Sequence, residues 1–90
     1  MHTLYIPYNA KDLGVSADLW VSYKGVKEDG RPDHAEVQAF ELGEIKWTPE
    51  GRKEQNNPTY EESVELILNE LESNLEYWQQ YCFNHFLEEG

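Results

Sequence analysis

A chain of 90 residues with 18 acidic and seven basic side chains carries a formal charge of −11 at pH 7, a balance that argues against direct binding to DNA, RNA or an anionic membrane, which are gripped through Lys and Arg. The length allows one domain, residues 1–90, with a modest core, for which three Trp, six Tyr and three Phe are the natural material. Cys82 is the single cysteine, so no internal disulfide framework exists, and with no apolar signal segment behind Met1 and no long apolar run the chain reads as cytoplasmic.

Residues 1–47 read as β-rich. Leu4-Tyr5-Ile6-Pro7-Tyr8 is a short apolar run that suits a strand, with Pro7 placing it at an edge or a strand end. Asn9 to Gly14 reads as a loop. Leu19, Val21 and Tyr23 then alternate with Trp20, Ser22 and Lys24, the period of a strand, and Trp20 on the second face predicts that both faces are partly covered. Gly25 to His34 contains Asp29-Gly30 and Pro32-Asp33, which is turn chemistry. This reads as a long charged tip, where Lys24, Lys27 and Arg31 mix with Glu28, Asp29 and Asp33. A further strand runs from about Ala35 to Trp47. Its apolar residues change face near Phe40, and with Gly43 this predicts a bulge or bend. Residues 17–47 are therefore expected to form an antiparallel hairpin, and residues 48–58 a polar connector.

Residues 59–89 read as helical. Thr59 with Glu62 three residues on is a capping box, and Glu61 and Glu62 complement the positive helix end. Tyr60, Val64, Ile67, Leu71, Leu75, Trp78, Cys82 and Phe86 recur at helical spacing, with no Gly or Pro from Thr59 to Glu89. One helix of that length spans about 45 Å, more than a domain this small needs. The expectation is a break near Ser73-Asn74 that folds the helix back, or a far half packed on a second chain. The fold class is α+β: an antiparallel hairpin or small three-stranded sheet against a long acidic C-terminal helix.

Charge is uneven. Residues 54–90 hold nine acids and no base, whereas residues 1–53 hold nine acids and all seven bases. On a helix, Glu61, Glu65, Glu72 and Glu76 share an arc of about 60°. Their i,i+4 steps put carboxylates about 6 Å apart along the axis, and no Lys or Arg relieves them. Such a row suits a docking face for a basic protein, and its spacing imitates a nucleic-acid backbone; a solvated face that serves solubility is the plainer alternative. Beside it Tyr77, Trp78, Tyr81, Phe83 and Phe86 crowd into ten residues, more rings than one groove buries. Tyr77, Trp78 and Tyr81 are candidate anchors for a partner, or else part of a core wrapped from several sides.

Other chemistry is poorly supported. Cys82 and His85 at i,i+3, with Glu89 one turn on, fall short of the three or four ligands a metal site needs, so no metal or cofactor is expected. No Gly-rich phosphate loop or nucleophile signature occurs, and a hairpin with a helix offers little cleft in which to separate carboxylate pKa values. No catalytic residue and no enzymatic activity are expected.

The hairpin LWVSYKGV…AEVQAFELGEIKW, the polar connector and the acidic helix YEESVELILNELESNLEYWQQY together resemble small acidic accessory proteins encoded by phages and prophages. Some of that class are anti-restriction and anti-CRISPR inhibitors. The resemblance covers architecture and charge across most of the chain and implies no particular site residue. It is consistent with a non-enzymatic inhibitor that occupies a basic surface of a partner protein, one that takes up nucleic acid in the sharper version. The alternative is a structural homodimer whose helices pair through Val64, Leu68, Leu71, Leu75, Trp78 and Cys82, a heptad seam, with acidity for solubility only.

Overall fold

The computed structural model describes residues 1–89, which form three strands followed by three helices. They are β1 (His2–Ala10), β2 (Val15–Glu28), β3 (Arg31–Trp47), α1 (Pro49–Glu54), α2 (Tyr60–Ser73) and α3 (Leu75–Glu89). The strands make one antiparallel sheet in the order β1-β2-β3, with Ile6 opposite Leu19 and Leu19 opposite Leu42. The chain is α+β, as its sequence implies, and the sheet has three strands.

The strands are longer than their apolar runs. β1 continues through Asn9 to Ala10, because Ala10 pairs with Val15 and both are buried under the helical layer. Only Lys11–Gly14 turns, closed by the Gly14 N–H donating to the Ala10 carbonyl at 2.9 Å, with Gly14 at φ +72°. The long charged tip does not exist either. Asp29 (φ 52°) and Gly30 (φ 78°) form a two-residue turn with both residues left-handed, the turn whose twist matches that of a hairpin. Gly25 pairs with Ala35 and Val26 with His34, so the expected loop is paired strand. Its charged side chains are tolerated because this end of the hairpin is open to water.

β3 needs 17 residues to match 14 of β2, and the surplus is spent in three bulges. The register shifts between Ala17 and Leu19, between Ser22 and Tyr23, and between Val26 and Lys27. The first of these is the irregularity expected at Gly43. The second inserts Gln38, and together the two keep Val37, Phe40, Leu42, Ile45 and Trp47 on one face despite their uneven spacing.

The core lies between that face and the helices. Val15, Ala17, Leu19, Val21 and Tyr23 alternate along β2 and are all buried. Ile67, Leu71, Trp78, Cys82 and Phe86 pack on them from α2 and α3. Trp20 lies on the opposite, helix-free face. It is half-buried because the Tyr5 ring sits 5.4 Å away and Gly43 leaves room for its indole, a Cβ there falling 2.7 Å from it.

The expected polar connector contains α1. Thr48 caps it, accepting from the Gly51 N–H at 3.0 Å, and Pro49 fits the first turn, where no N–H is required. The helical part is two helices, divided at Ser73-Asn74, where one of the two expectations puts a break. Asn74 leaves helical geometry (φ −117°, ψ 33°), and the Ser73 hydroxyl and the Asn74 amide donate to the carbonyls of Asn69 and Glu70. The break does not fold the chain back. α2 starts at the base of the sheet, where Trp47 Nε1 donates to Ser63 Oγ at 2.9 Å. α3 ends near the hairpin tip, where Phe86 occupies the space left by Gly25. β2 alone spans about 46 Å at ~3.3 Å per residue, so the full-length hairpin carries both helices along it. The molecule measures 51 × 20 × 19 Å. No helix among the described residues is long and apolar enough to cross a membrane.

Candidate protein-binding face

The helical layer is held in register at both ends. The capping box at Thr59 and Glu62 forms as the sequence implies, with Thr59 Oγ1 accepting from the Glu62 N–H at 3.2 Å and Glu62 Oε1 accepting from the Thr59 N–H at 3.3 Å. Tyr60 donates its hydroxyl to the Gly43 carbonyl at 3.1 Å. At the far end the buried Tyr23 hydroxyl lies 2.8 Å from His85 Nδ1.

These anchors fix which side chains face water. Ser63, Ile67 and Leu71 point into the sheet, so Glu61, Glu65 and Glu72 emerge on the far side of α2 and are exposed. Glu76 is exposed on α3, past the Asn74 break. The row therefore crosses two helices rather than running along one rod. No Lys or Arg lies in residues 54–90 to offset it.

The three aromatic candidates separate. Tyr77 (59 % exposed) and Tyr81 (41 %) are on the surface, whereas Trp78 (5 %) is buried. Its ring lies 6.0 Å from Tyr8 and 6.3 Å from Phe40, between β1 and β3. Trp78 is therefore a core residue that supports Tyr77 and Tyr81, 5.0 and 6.0 Å away, and is not itself an accessible anchor. The heptad seam is largely consumed in the same way. Leu71, Trp78 and Cys82 are buried against the chain's own sheet, Val64 and Leu68 are half-buried, and only Leu75 (40 %) is open.

Two recesses between the helices and β3 were not evident in the sequence. One brings Glu72 beside Val37, Phe40, Leu68 and Leu75; the other brings Glu76 beside Asp33, His34, Ala35 and Phe83. They combine half-buried apolar walls with carboxylates from the acidic row. The missing signal was the β3 register, since only the Gln38 bulge places both Val37 and Phe40 towards the helices. In the second recess His34 Nδ1 lies 2.6 Å from Asp33 and Nε2 3.3 Å from Glu36. These carboxylates, Asp33 first, raise its pKa above 6.5.

Cys82 is fully buried, and burial pushes its thiol up to about 11, so it packs as a small apolar residue and is a poor nucleophile or ligand. Among the described residues no group of three or more His, Cys, Asp or Glu is placed to hold a metal ion. The side chain of Glu89, the third ligand considered with Cys82 and His85, lies outside the described residues. Comparison of the chain with protein-family models, curated proteins and solved structures returns no match.

Proposed function

We propose that this chain is a non-enzymatic protein-binding module, an acidic inhibitor that occupies a basic surface of a partner protein, one that otherwise takes up nucleic acid. The observation that carries the reading is the placement of Glu61, Glu65, Glu72 and Glu76, all exposed on the helical layer and without a base among residues 54–90. The apolar walls at Glu72 and Glu76 support it further. A bare solvated face needs charge alone, whereas here Leu75 and the half-buried Phe83 stand beside the carboxylates. Charge supplies steering, and the apolar surface with Tyr77 and Tyr81 supplies area to desolvate. Direct contact with nucleic acid or a membrane is no part of this reading, nor is catalysis or a cofactor.

The test is a pull-down from bacterial lysate at low and high salt, read by mass spectrometry. The baits are the wild-type chain and its Glu61→Gln, Glu65→Gln, Glu72→Gln, Glu76→Gln quadruple variant. A basic protein held by wild type, lost in the variant and released as salt rises from roughly 50 to roughly 500 mM is the expected result. Retention of the same proteins by both baits, or of none, overturns the reading and leaves the row as a solubility device.

A further inference from the structure

We propose that two copies of this chain pair antiparallel through β1, edge to edge, to make one six-stranded sheet. The inference rests on a surface separate from the acidic helical face.

β1 is an outer strand of the sheet, so between Thr3 and Asn9 alternate backbone N–H and C=O groups face away from β2 and have no strand to pair with among the described residues. Pro7 indicates which ones. It has no N–H to give to β2, so its position is one whose N–H would point away, and by the two-residue period those of Thr3, Tyr5 and Asn9 point away with it. His2–Ala10 contains no Asp, Glu, Lys or Arg, and its pairing with β2 runs without a bulge. Charges, bulges and prolines are devices by which proteins close an exposed edge. Here Pro7 is the single such device, and it withdraws one donor.

The partner follows from charge. Repulsion between two copies is strongest at the helical layer, where residues 54–90 hold nine acids and no Lys or Arg. β1 has no carboxylate of its own, and the neighbouring Asp18 carboxylate accepts from the Tyr5 hydroxyl at 2.6 Å, so a second copy meets less opposing charge here than at the acidic helical face. A basic partner finds nothing to grip along this strand. The pairing is also self-complementary, since an antiparallel two-fold sets the same strand against itself. The half-buried inner row Leu4, Ile6 and Tyr8 then meets the same row of its copy.

Sedimentation equilibrium on the whole chain tests this, from roughly 5 to roughly 500 μM, a range that brackets a Kd of roughly 50 μM. The expected result is a doubled mass at the upper end. The Thr3→Pro, Asn9→Pro double variant removes two outward donors per copy and should raise the midpoint at least roughly tenfold. The Glu61/Glu65/Glu72/Glu76→Gln variant should still dimerise. Hydrogen exchange of wild type covers the case in which the double variant fails to fold. The amides of Thr3, Tyr5 and Asn9 should exchange more slowly as concentration rises, while the outer residues of β3 do not change. A monomer at every concentration overturns the proposal, including the case in which β1 takes an extended segment of another protein. So does a dimer whose β1 amides are indifferent to concentration.

Discussion

β1 and β3 both terminate the sheet, and they do so on different plans. β3 spreads charge along its length, at Arg31, Asp33, Glu36, Glu41, Glu44 and Lys46, and interrupts its pairing with three bulges. β1 has neither, and Pro7 alone interrupts it. The same layer of helices lies beside both, yet the recesses lined by Glu72 and Glu76 open only towards β3. The difference teaches how one small sheet separates two kinds of recognition. The guarded edge leaves side-chain charge and pocket shape to be read, which is where the proposed basic partner docks. The plain edge leaves the backbone to be read, which is where the proposed second copy adds its strand.

The largest expected effect comes from removing what both edges share. Leu71 is fully buried at the centre of the helical layer. Leu71→Ala should cost about 2–5 kcal/mol, the lost transfer energy together with the cavity left behind, measured by urea unfolding. Exchange protection should fall in β1 and β3 alike. A loss confined to one edge would mean that the two strands do not share one core.

A smaller effect should separate the edges. A Cβ at Gly43 would lie 2.7 Å from the Trp20 ring. Gly43→Val therefore has to displace Trp20 from its bulge, and should cost about 1–3 kcal/mol as an overpacked contact. Near-UV circular dichroism should change with it, since Trp20 loses its fixed place beside Tyr5. Because Tyr60 donates to the Gly43 carbonyl, the damage should spread to the first turn of α2 while the β1 amides of the dilute chain keep their protection. Equal loss along β1 would show that the β3 edge is not built independently.

The two edges were also unequally legible in the sequence. Leu19, Val21 and Tyr23 announce their buried face by simple alternation, and Thr59 with Glu62 marks a helix start that local chemistry fixes alone. β3 was harder, because each bulge shifts the phase of its apolar residues and a period-two reading fails at Gln38 and again at Gly43. At the hairpin tip turn geometry outweighs the charge pattern. Asp29-Gly30 fixes a two-residue turn whatever the flanking side chains are. A continuous helix of about 45 Å exceeds what so small a domain needs, yet the full-length hairpin carries α2 and α3 along it. Of the candidate site, the exposure of Glu61, Glu65, Glu72, Glu76, Tyr77 and Tyr81 follows from helical phase. The burial of Trp78 depends on Tyr8 and Phe40 reaching it from two strands, a contact that no local pattern encodes.

The smallest effect tests the last bulge. β3 spends His34 to Pro32 where β2 spends Val26 to Lys27, so Asp33 is the extra residue, and its carboxylate lies 2.6 Å from His34 Nδ1. Glu36 approaches the other ring nitrogen at 3.3 Å. Both carboxylates favour the imidazolium, so the His34 midpoint read by NMR should lie above 6.5. Asp33→Asn should lower it more than Glu36→Gln, because the Asp33 hydrogen bond is the larger cause. A folded pKa above the unfolded one adds stability that is fully present below about 6.5 and is lost as pH rises through the folded midpoint. The side chain stands in water, so the change in melting temperature across that window should be slight. The same titration sets the charge of the Glu76 recess, which His34 lines. A basic partner held there should bind more weakly as pH falls through the midpoint, while pairing through β1, at the other edge of the sheet, should not respond to His34. A midpoint at or below 6.5 would mean that the bulge does not hold Asp33 against His34 in solution.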